Sequence, residues 1–394
     1  MSSPILATLD FGGTFIKASL FSVSDSAEPL DCVKFRFPYE VRQERSEISS
    51  NPNSVIEIAL RAVRSLLSRN NNPKLAGALV SGQMGSYLFV DSDGTPITGI
   101  SSWQNQVSTA YLESVPKKLR QDIFHLGGDF VRRELPALKL LESRAGRSGR
   151  FETLLSFVVR AMTGGRSETI HITDAAATGM LNTLDGTWNE DLLGLLGLSL
   201  SDLPRVTSQF ETAGFSEELG CPVWVGVGDH QAAVNSSNSL ENGGINVNIG
   251  TGCQVSRVRL PGDDRTLQIR PYFRGTFLTC LTHISSGRYI ERSVNESTQT
   301  ASQRSAIWRA LASSEELHVP EIVRYSISEV AKEISAAIDT VDDERAFHPI
   351  EVTGGLGKIA ALQKELRKKM PNRQLIFHSH LDSTSLGLVK LWDR

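Results

Sequence analysis

The sequence predicts an α/β protein of two domains, each built on a mixed sheet, with a cleft between them. Three observations support this prediction. The chain has 394 residues, which at about 150 residues per domain suggests two or three domains. Apolar runs that end in glycine turns open both halves of the chain, at 5–9 and 245–249. Strand-like apolar runs then alternate with segments of helical periodicity, as in α/β folds.

The first half is predicted to begin with three strands, a helix and a further strand. The strand-length runs lie at 5–9, 16–21, 32–37 and 75–80. Apolar side chains at i, i+3, i+4 and i+7 predict a helix over 55–67. Asn53 or Ser54 is expected to cap its start, and the Asn/Pro run at 70–73 is expected to end it.

The middle of the chain is predicted to be mostly helical, with apolar segments at 135–141, 151–162 and 192–203. Strands follow at 245–249, 253–258, 277–284, 350–352 and 375–377. A long amphipathic helix over 322–341 and a last helix over 383–391 complete the second half. The Asn/Ser-rich stretch 235–242 predicts a boundary near residue 240, which gives domains 1–240 and 241–394.

Composition excludes several classes of protein. The 41 basic and 44 acidic side chains leave a net charge of −3, which argues against a nucleic-acid partner held by a basic surface. The four cysteines are far apart and form no CxxC pair, so we expect reduced thiols rather than a zinc ribbon. Neither a signal-peptide pattern nor a long apolar run occurs. We therefore expect a cytoplasmic protein without membrane association.

Two glycine turns are candidate phosphate-binding loops. Asp10-Phe11-Gly12-Gly13-Thr14 follows the first strand, and Gly250-Thr251-Gly252 follows the strand at 245–249. Glycines let backbone N–H groups approach a phosphate closely. Asp10 could hold Mg²⁺, and Thr14 and Lys17 could contact phosphate oxygens. The alternative is a pair of ordinary hairpin turns. Neither loop matches the P-loop or the dinucleotide fingerprint.

Asp229 is the candidate general base. It lies in Gly226-Val227-Gly228-Asp229-His230-Gln231, directly after the apolar run 223–225. A carboxylate between a glycine turn and polar residues is well placed to accept a hydroxyl proton. The alternative is that Asp229 caps a helix over 231–234, and both functions are compatible.

Taken in order, these motifs resemble those of the FGGY carbohydrate kinases, which belong to the actin-like ATPase superfamily. The resemblance covers nearly the whole chain. It implies a ribonuclease H-like fold with an interdomain cleft, a sugar-binding domain over 1–240 and a shortened nucleotide-binding domain over 241–394. The matching stretches are 10–14, 81–84, 103–107, 228–229, 248–252 and 354–357, with Gln363.

The resemblance also implies a function for each matching residue. Asp229 would be the general base, and Asp10 and Asp229 would hold Mg²⁺ through water or ATP. ATP and Mg²⁺ are the implied cofactors, and a ketose or polyol is the implied substrate. A homodimer is compatible with the resemblance. The substrate would contact Gln83, Met84, Trp103, Gln104, Asn105 and His230. The nucleotide and its phosphates would contact Asp10, Gly12, Gly13, Thr14, Lys17, Gly250, Thr251, Gly252, Gly354, Gly355, Leu356 and Gly357.

Several stretches look closest to the sedoheptulokinases, which favours sedoheptulose or a related heptulose as the substrate. They lie at 103–104, 182–183 with 188–189, 229–231, 251–254, and 270–273 with 275–276. Gly85, Asn105 and Val107 stand where the family pattern has His, Asp and Arg. Because these departures remove polar groups, a xylulokinase-like or ribulokinase-like activity stays open. So does a non-catalytic sugar or nucleotide sensor. A filament-forming ATPase is a further class, and it would hydrolyse nucleotide without sugar.

Overall fold

The computed structural model describes residues 3–24, 28–42, 47–128, 130–143, 149–237, 243–250, 252–260, 267–313, 319–342, 348–378 and 382–392. The chain divides into two compact units. The first comprises Met1–Ser236, Arg270–Gly275 and Thr384–Arg394, and the second comprises Ser237–Ile269 and Thr276–Ser383. The predicted limits, 1–240 and 241–394, differ from this division at 237–240 and at the two segments that return to the first unit.

The elements alternate along the whole chain. The strands are β1 Ile5–Phe11, β2 Phe15–Ser22, β3 Asp31–Arg36, β4 Tyr39–Arg42, β5 Glu47–Ser50, β6 Leu75–Gly82, β7 Tyr87–Val90, β8 Ile100–Ser101, β9 Arg150–Thr153, β10 Thr169–His171, β11 Leu181–Asn182, β12 Thr187–Trp188, β13 Arg205–Thr207, β14 Thr212–Ser216, β15 Cys221–Trp224, β16 Val227–Gly228, β17 Ile245–Ile249, β18 Cys253–Arg259, β19 Gln268–Pro271, β20 Phe277–Ile284, β21 Ile350–Thr353 and β22 Leu375–Phe377. The helices are α1 Pro52–Arg69, α2 Thr109–Ser114, α3 Lys117–Gly127, α4 Pro136–Ser143, α5 Leu154–Met162, α6 Ile172–Ala176, α7 Glu190–Leu196, α8 Asp229–Asn235, α9 Gly287–Glu296, α10 Ala301–Ser313, α11 Glu321–Val341, α12 Ala360–Lys369 and α13 Ser383–Trp392.

The main sheet of the first unit is mixed, in the order β14-β15-β6-β1-β2-β3, with β16 also on β6. β1 is antiparallel to β2 and parallel to β6, and β16 is parallel to β6. Gly82 at the end of β6 is in register with both Phe11 and Gly228. The carboxyl ends of β1, β6 and β16 therefore lie together at one edge of the sheet.

The core of the first unit is formed where the sheet packs against α1 and α5. β1 is almost entirely buried, as its apolar run predicts. Helix α1 buries Val55, Ala59 and Val63 on one side, which confirms the predicted amphipathic face. The predicted N-cap is wrong, because Asn51 is the N-cap and its side chain accepts hydrogen bonds from the backbone N–H groups of Asn53 and Ser54. Helix α1 thus begins at Pro52, about one turn before the predicted start at Val55. The predicted end is confirmed, because Asn70 is the C-cap.

Two predicted helical segments of the middle contain non-helical parts. The predicted helix over 151–162 begins as β9, which pairs with β7. Helix α5 starts only at Leu154, where Thr153 and Ser156 form a capping box. The segment 192–203 contains the end of α7, and a 3₁₀ turn follows over Leu200–Asp202. Gly197 has a positive φ of 69° and ends α7.

Three strands of the second unit pair in the same way as three strands of the first. Its sheet has the order β19-β20-β18-β17-β21-β22. β17 is antiparallel to β18 and parallel to β21, as β1 is to β2 and β6. Helix α11 packs its apolar face into the core of this unit, although Ile322 lies on the exposed side. Both units thus have the predicted α/β architecture with mixed sheets. No helix among the described residues is long and apolar enough to cross a membrane.

Candidate active site

The shared register of β1, β6 and β16 brings three predicted site residues to one sheet edge. Asp10 is the last but one residue of β1, Gln83 directly follows β6, and Asp229 directly follows β16. The backbone N–H of Gln83 donates to the carbonyl oxygen of Phe11, which continues the β1–β6 pairing. Two carboxylates and an amide therefore meet at the carboxyl ends of adjacent strands.

Asp229 begins helix α8. Its Oδ1 accepts a hydrogen bond from the backbone N–H of His230 at 2.7 Å. The N-cap of α8 is Gly228, so the alternative reading of Asp229 as a cap is not supported. Burial raises the pKa of Asp229 to about 7, and repulsion by Asp10 adds to the rise. A carboxylate with a pKa near neutrality is suited to general base catalysis.

Asp10 and Lys17 form an ion pair in which only Asp10 is buried. The Nζ of Lys17 lies 2.9 Å from Oδ2 of Asp10, because Asp10 and Lys17 are cross-strand partners in β1 and β2. The Asp10 side chain is 3% exposed. The turn between the strands holds Gly12, whose N–H donates to the carbonyl oxygen of Phe15, and the exposed Thr14. Lys17 therefore neutralises Asp10 here.

Gln83 and Trp103 lie beside this turn. A Cβ at Gly13 would lie 3.6 Å from the Trp103 indole and 3.9 Å from Oε1 of Gln83. The sequence did not reveal Tyr39, whose hydroxyl donates to Oε1 of Gln83 at 2.7 Å. Burial raises the pKa of Tyr39, and the side chains of Gln83, Ser102, Gln104 and Trp103 lower it in part. Nε2 of Gln83 is buried without a hydrogen-bond partner among the described residues.

Asn105 and Met84, two further predicted substrate residues, contact other residues of the protein. Asn105 donates to and accepts from the backbone of Ile48, and it also donates to Ser101. Its amide is thus hydrogen-bonded within the protein, and its contact with substrate stays a prediction. Met84 packs against Gly228, where a Cβ would lie 2.4 Å from its sulfur. Val107 is fully buried, so this position is part of the core.

Three further residues surround the turn at Asp229, and the sequence analysis missed them. Thr173 accepts a hydrogen bond from the backbone N–H of Gly228 at 3.1 Å. Its hydroxyl also lies 2.8 Å from Nδ1 of the buried His171. Burial raises the pKa of Asp174 to about 7, with further repulsion from Asp229. The stretch 171–174 has no distinctive local pattern, so only its contact with Gly228 connects it to the site.

His230 and Arg270 lie next to Asp229. Nη1 of Arg270 is 3.1 Å from Nδ1 of His230. Burial and the neighbouring guanidinium keep the pKa of His230 well below its usual value. The positive charge of Arg270 also lowers the pKa of Asp229, against the larger rise that burial causes. His230 is therefore a neutral, buried ring, and Arg270 brings a positive charge to this turn.

The predicted nucleotide residues at 250–252 and 354–357 lie in the second unit, while those at 10–17 lie in the first. The N–H of Gly250 donates to the carbonyl oxygen of Gly252 at 2.8 Å, and Thr251 between them is not described. Gly354 has a φ of 85°, and a Cβ there would lie 2.5 Å from Oδ1 of Asn248. The turn Gly355–Lys358 follows, and Gln363 donates to the carbonyl oxygen of Gly357. Both turns follow the carboxyl ends of the paired strands β17 and β21.

Comparison with known proteins identifies the family of this chain. Residues 5–234 match the N-terminal domain of the FGGY family of carbohydrate kinases. A glycerol kinase from Nitratidesulfovibrio vulgaris is 24% identical over 271 residues, which are 64% of this chain and 54% of that protein. A glycerol kinase from Saccharolobus islandicus is 24% identical over 265 residues. The chain thus spans about half the length of the curated relatives it matches.

Solved structures show the same fold at low sequence identity. A ligand-bound xylulose kinase from Lactobacillus acidophilus superposes with a TM-score of 0.85 at 16% identity, covering 98% of this chain and 88% of that one. The glycerol kinase of Plasmodium falciparum with ADP gives 0.84 at 14% identity, covering 99% and 89%. A gluconate kinase from Lactobacillus acidophilus gives 0.81 at 17% identity, covering 99% and 89%. With the family match over more than half of its residues, the chain belongs to the FGGY family of carbohydrate kinases.

Proposed function

We propose that this protein transfers the γ-phosphoryl group of ATP to a hydroxyl of a ketose or polyol. The observation that carries the proposal is the register of β1, β6 and β16, which groups Asp10, Gln83 and Asp229 at one sheet edge. Asp229 is the general base, and its raised pKa matches a base that works near neutral pH.

The chain's own residues account for the acceptor side of the reaction. The Asp229 oxygen that does not bind the N–H of His230 accepts the hydroxyl proton as the hydroxyl attacks phosphorus. Gln83 offers an N–H to an acceptor oxygen, and the exposed Trp103 ring offers a face for the C–H bonds of a sugar. Phosphoryl transfer needs little covalent work from the protein, so positioning and charge compensation supply most of the rate.

Asp10 and Asp229 suit a magnesium ion. They are carboxylates that repel each other at one sheet edge, and Mg²⁺ is usually held by one or two carboxylates with phosphate and water. The described residues contain no group of three or more His, Cys, Asp or Glu side chains at metal-binding spacing. The remaining ligands would therefore come from ATP and water. Bound Mg²⁺ would neutralise charge on the phosphates. The nucleotide itself is assigned to Gly250, Gly252 and the turn after Gly354.

For the acceptor, we propose sedoheptulose or a related heptulose. The support is the sequence, above all the stretches 103–104, 229–231 and 270–276. The structure adds that Trp103, His230 and Arg270 from these stretches lie in the first unit with Asp229. The fold does not discriminate between acceptors, because a xylulose kinase, a gluconate kinase and a glycerol kinase share it.

The test is ADP release from Mg-ATP over a panel of ketoses, aldonates and polyols, with Asp229→Asn beside the wild type. The variant is expected to lose about 10²–10⁴-fold in sugar-dependent turnover, the usual contribution of a general base. Asp191→Asn is the matched control, since it makes the same chemical change on the exposed start of α7. Sugar-independent hydrolysis in all three proteins would contradict the kinase and favour a filament-forming ATPase. No turnover with any acceptor would also contradict the kinase and would leave a sensor.

A further inference from the structure

A short segment of the second half packs against the candidate base. We call Arg270–Gly275 the strap, because it belongs to the first unit although its neighbours in sequence belong to the second. Gln231 of α8 donates to the carbonyl oxygen of Pro271 at 3.4 Å, and the hydroxyl of Tyr272 donates to Oδ1 of Asn235 at 3.3 Å. Hydrogen bonds therefore connect the strap to two positions of helix α8, which begins with Asp229.

Aromatic packing and a tight turn hold the strap in place. The Phe273 ring lies 5.7 Å from the ring of His171, and both Tyr272 and Phe273 are buried. Arg274 and Gly275 then adopt positive φ values of 59° and 71°, which reverses the chain direction. A positive φ is sterically unfavourable for Arg274 because it has a Cβ. The buried rings of Tyr272 and Phe273 therefore stabilise the turn.

The strap brings one charged side chain to α8. Nη1 of Arg270 lies 3.1 Å from Nδ1 of His230. A guanidinium can only donate, so Nδ1 accepts and the ring of His230 carries its proton on Nε2. His230 is consequently neutral, and it cannot balance the charge of Arg270.

The guanidinium has capacity for a further ligand. It has five N–H donors, of which one is used on the neutral His230 nitrogen. No carboxylate of the described residues lies within ion-pair distance of Arg270, which is half-buried. Asp229 acts on it only through the longer-range attraction that lowers the pKa of Asp229. A half-buried guanidinium with free donors and no ion pair is typical of a site for an oxyanion.

We propose that Arg270 binds an anionic oxygen of the reacting complex beside Asp229. This rests on the proposed function and extends it. Two sources supply the same chemistry, namely the phosphoryl group in transfer and a carboxylate or phosphate on the acceptor. Negative charge on the phosphoryl oxygens must be compensated during transfer, and Arg forms bidentate hydrogen bonds with such groups.

The first measurement is direct anion binding, which does not depend on turnover. Inorganic phosphate and gluconate are titrated calorimetrically into the wild type, Arg270→Met, Arg270→Lys and Tyr272→Phe. Tyr272→Phe is the matched control, because it removes a hydrogen bond of the strap and keeps the guanidinium. We expect Arg270→Met to bind at least one of the anions about tenfold or more weakly, Arg270→Lys to recover part of the affinity, and Tyr272→Phe to bind like the wild type.

Turnover then separates the two sources. If Arg270 binds the transferred phosphoryl group, Arg270→Met lowers kcat about 10²-fold for every acceptor while the KM of neutral acceptors is unchanged. If it binds the acceptor, KM rises only for anionic acceptors. The proposal is overturned if Arg270→Met matches the wild type in binding and turnover, if Tyr272→Phe loses as much as Arg270→Met, or if the wild type binds neither anion. A wild type that binds anions but phosphorylates no acceptor refutes the kinase and not the oxyanion site.

Discussion

At the scale of single residues, the surroundings of Asp229 matter more than Asp229 itself. A lone aspartate at a helix start is an ordinary feature of proteins. Here Thr173 binds the backbone immediately before it, and Asp174 on the same short helix is a second buried acid. The position and the charge of the candidate base are therefore both influenced by one stretch that lies about 55 residues earlier.

Thr173→Val keeps the shape of the side chain and removes the acceptor for the N–H of Gly228. We expect kcat to fall about tenfold with little change in KM, because the turn that carries Asp229 loses its restraint. An unsatisfied buried N–H also lowers the free energy of unfolding by about 1–3 kcal/mol. Thr173→Ser retains the hydroxyl and should restore kcat. If Thr173→Val lost stability but kept its kcat, Thr173 would have a purely structural function.

Asp174→Asn is expected to stabilise the protein at high pH. Burial raises the pKa of Asp174 to about 7 from 3.8, so folding favours its protonated form. The contribution of Asp174 to the free energy of unfolding is therefore lost progressively as the pH rises from about 4 to about 7. Asn is neutral at every pH, and its oxygen can still accept from the hydroxyl of Thr153, which lies 2.5 Å from Oδ2 of Asp174.

Urea unfolding at pH 5 and pH 8 measures this effect. The gain of Asp174→Asn over the wild type should be larger at pH 8 than at pH 5, by roughly 1–3 kcal/mol. This difference is smaller than the full rise in the pKa of Asp174 would give. Asp229 and Glu152 repel the Asp174 carboxylate, so the three groups titrate together. Asp191→Asn on the surface should show no such difference. An equal gain at both pH values would mean that Asp174 titrates normally in the folded protein.

At the scale of elements, the contact between α8 and α13 holds the helix that begins with Asp229. Gly387 in α13 approaches α8 so closely that a Cβ would lie 1.7 Å from the carbonyl oxygen of Ala232. Asn235 donates to the carbonyl oxygen of Gly387 at 2.8 Å, and Lys390 donates to the carbonyl oxygen of Ser236. Only glycine permits this backbone approach.

Gly387→Ala should therefore lower the free energy of unfolding by about 1–3 kcal/mol or more, because α13 must move away from α8. Gly194→Ala in α7 is the matched control, since nothing lies within 4 Å of its added Cβ. Alanine there should stabilise the protein by about 0.5–1 kcal/mol through helix propensity. Thermal unfolding of both variants checks the pair. Equal behaviour would show that the helices separate at little cost.

At the scale of the whole molecule, the chain returns twice to the first unit, through the strap and through 384–394. Helix α13 buries Leu386, Leu388 and Val389, and Trp392 lies 6.4 Å from Trp224 in an edge arrangement. The support of α8 therefore comes in part from residues about 150 positions later in the chain.

Deletion of 383–394 should thus impair a site that lies far away in sequence. We expect a lower melting temperature, faster proteolysis and weaker acceptor binding, because α8 loses its apolar cover and two hydrogen-bond partners. Scanning calorimetry and limited proteolysis provide the readouts. A truncated protein with normal melting and normal acceptor affinity would show that α13 is dispensable for α8.

Local patterns in the sequence were sufficient for the long strands of the two main sheets, such as β1 and β17, and for long helices such as α1 and α11. Buried runs, helical periodicity and glycine turns are produced by neighbours within a few residues, so they are visible without the fold. The same patterns misassigned the start of α1 and the strand β9. At those places a cap residue or a pairing partner outside the apolar run decides the structure.

Tertiary structure alone decided which residues surround Asp229. Thr173, Tyr39 and Arg270 reach the site through contacts between residues that are 40 or more positions apart. No local pattern identifies such pairs, because their meeting depends on the strand register and on the return of the strap to the first unit. The sequence by itself thus determined the family, the candidate base and the α/β architecture. The folded chain determined how that base is held and charged, since positioning and burial are properties of packed elements.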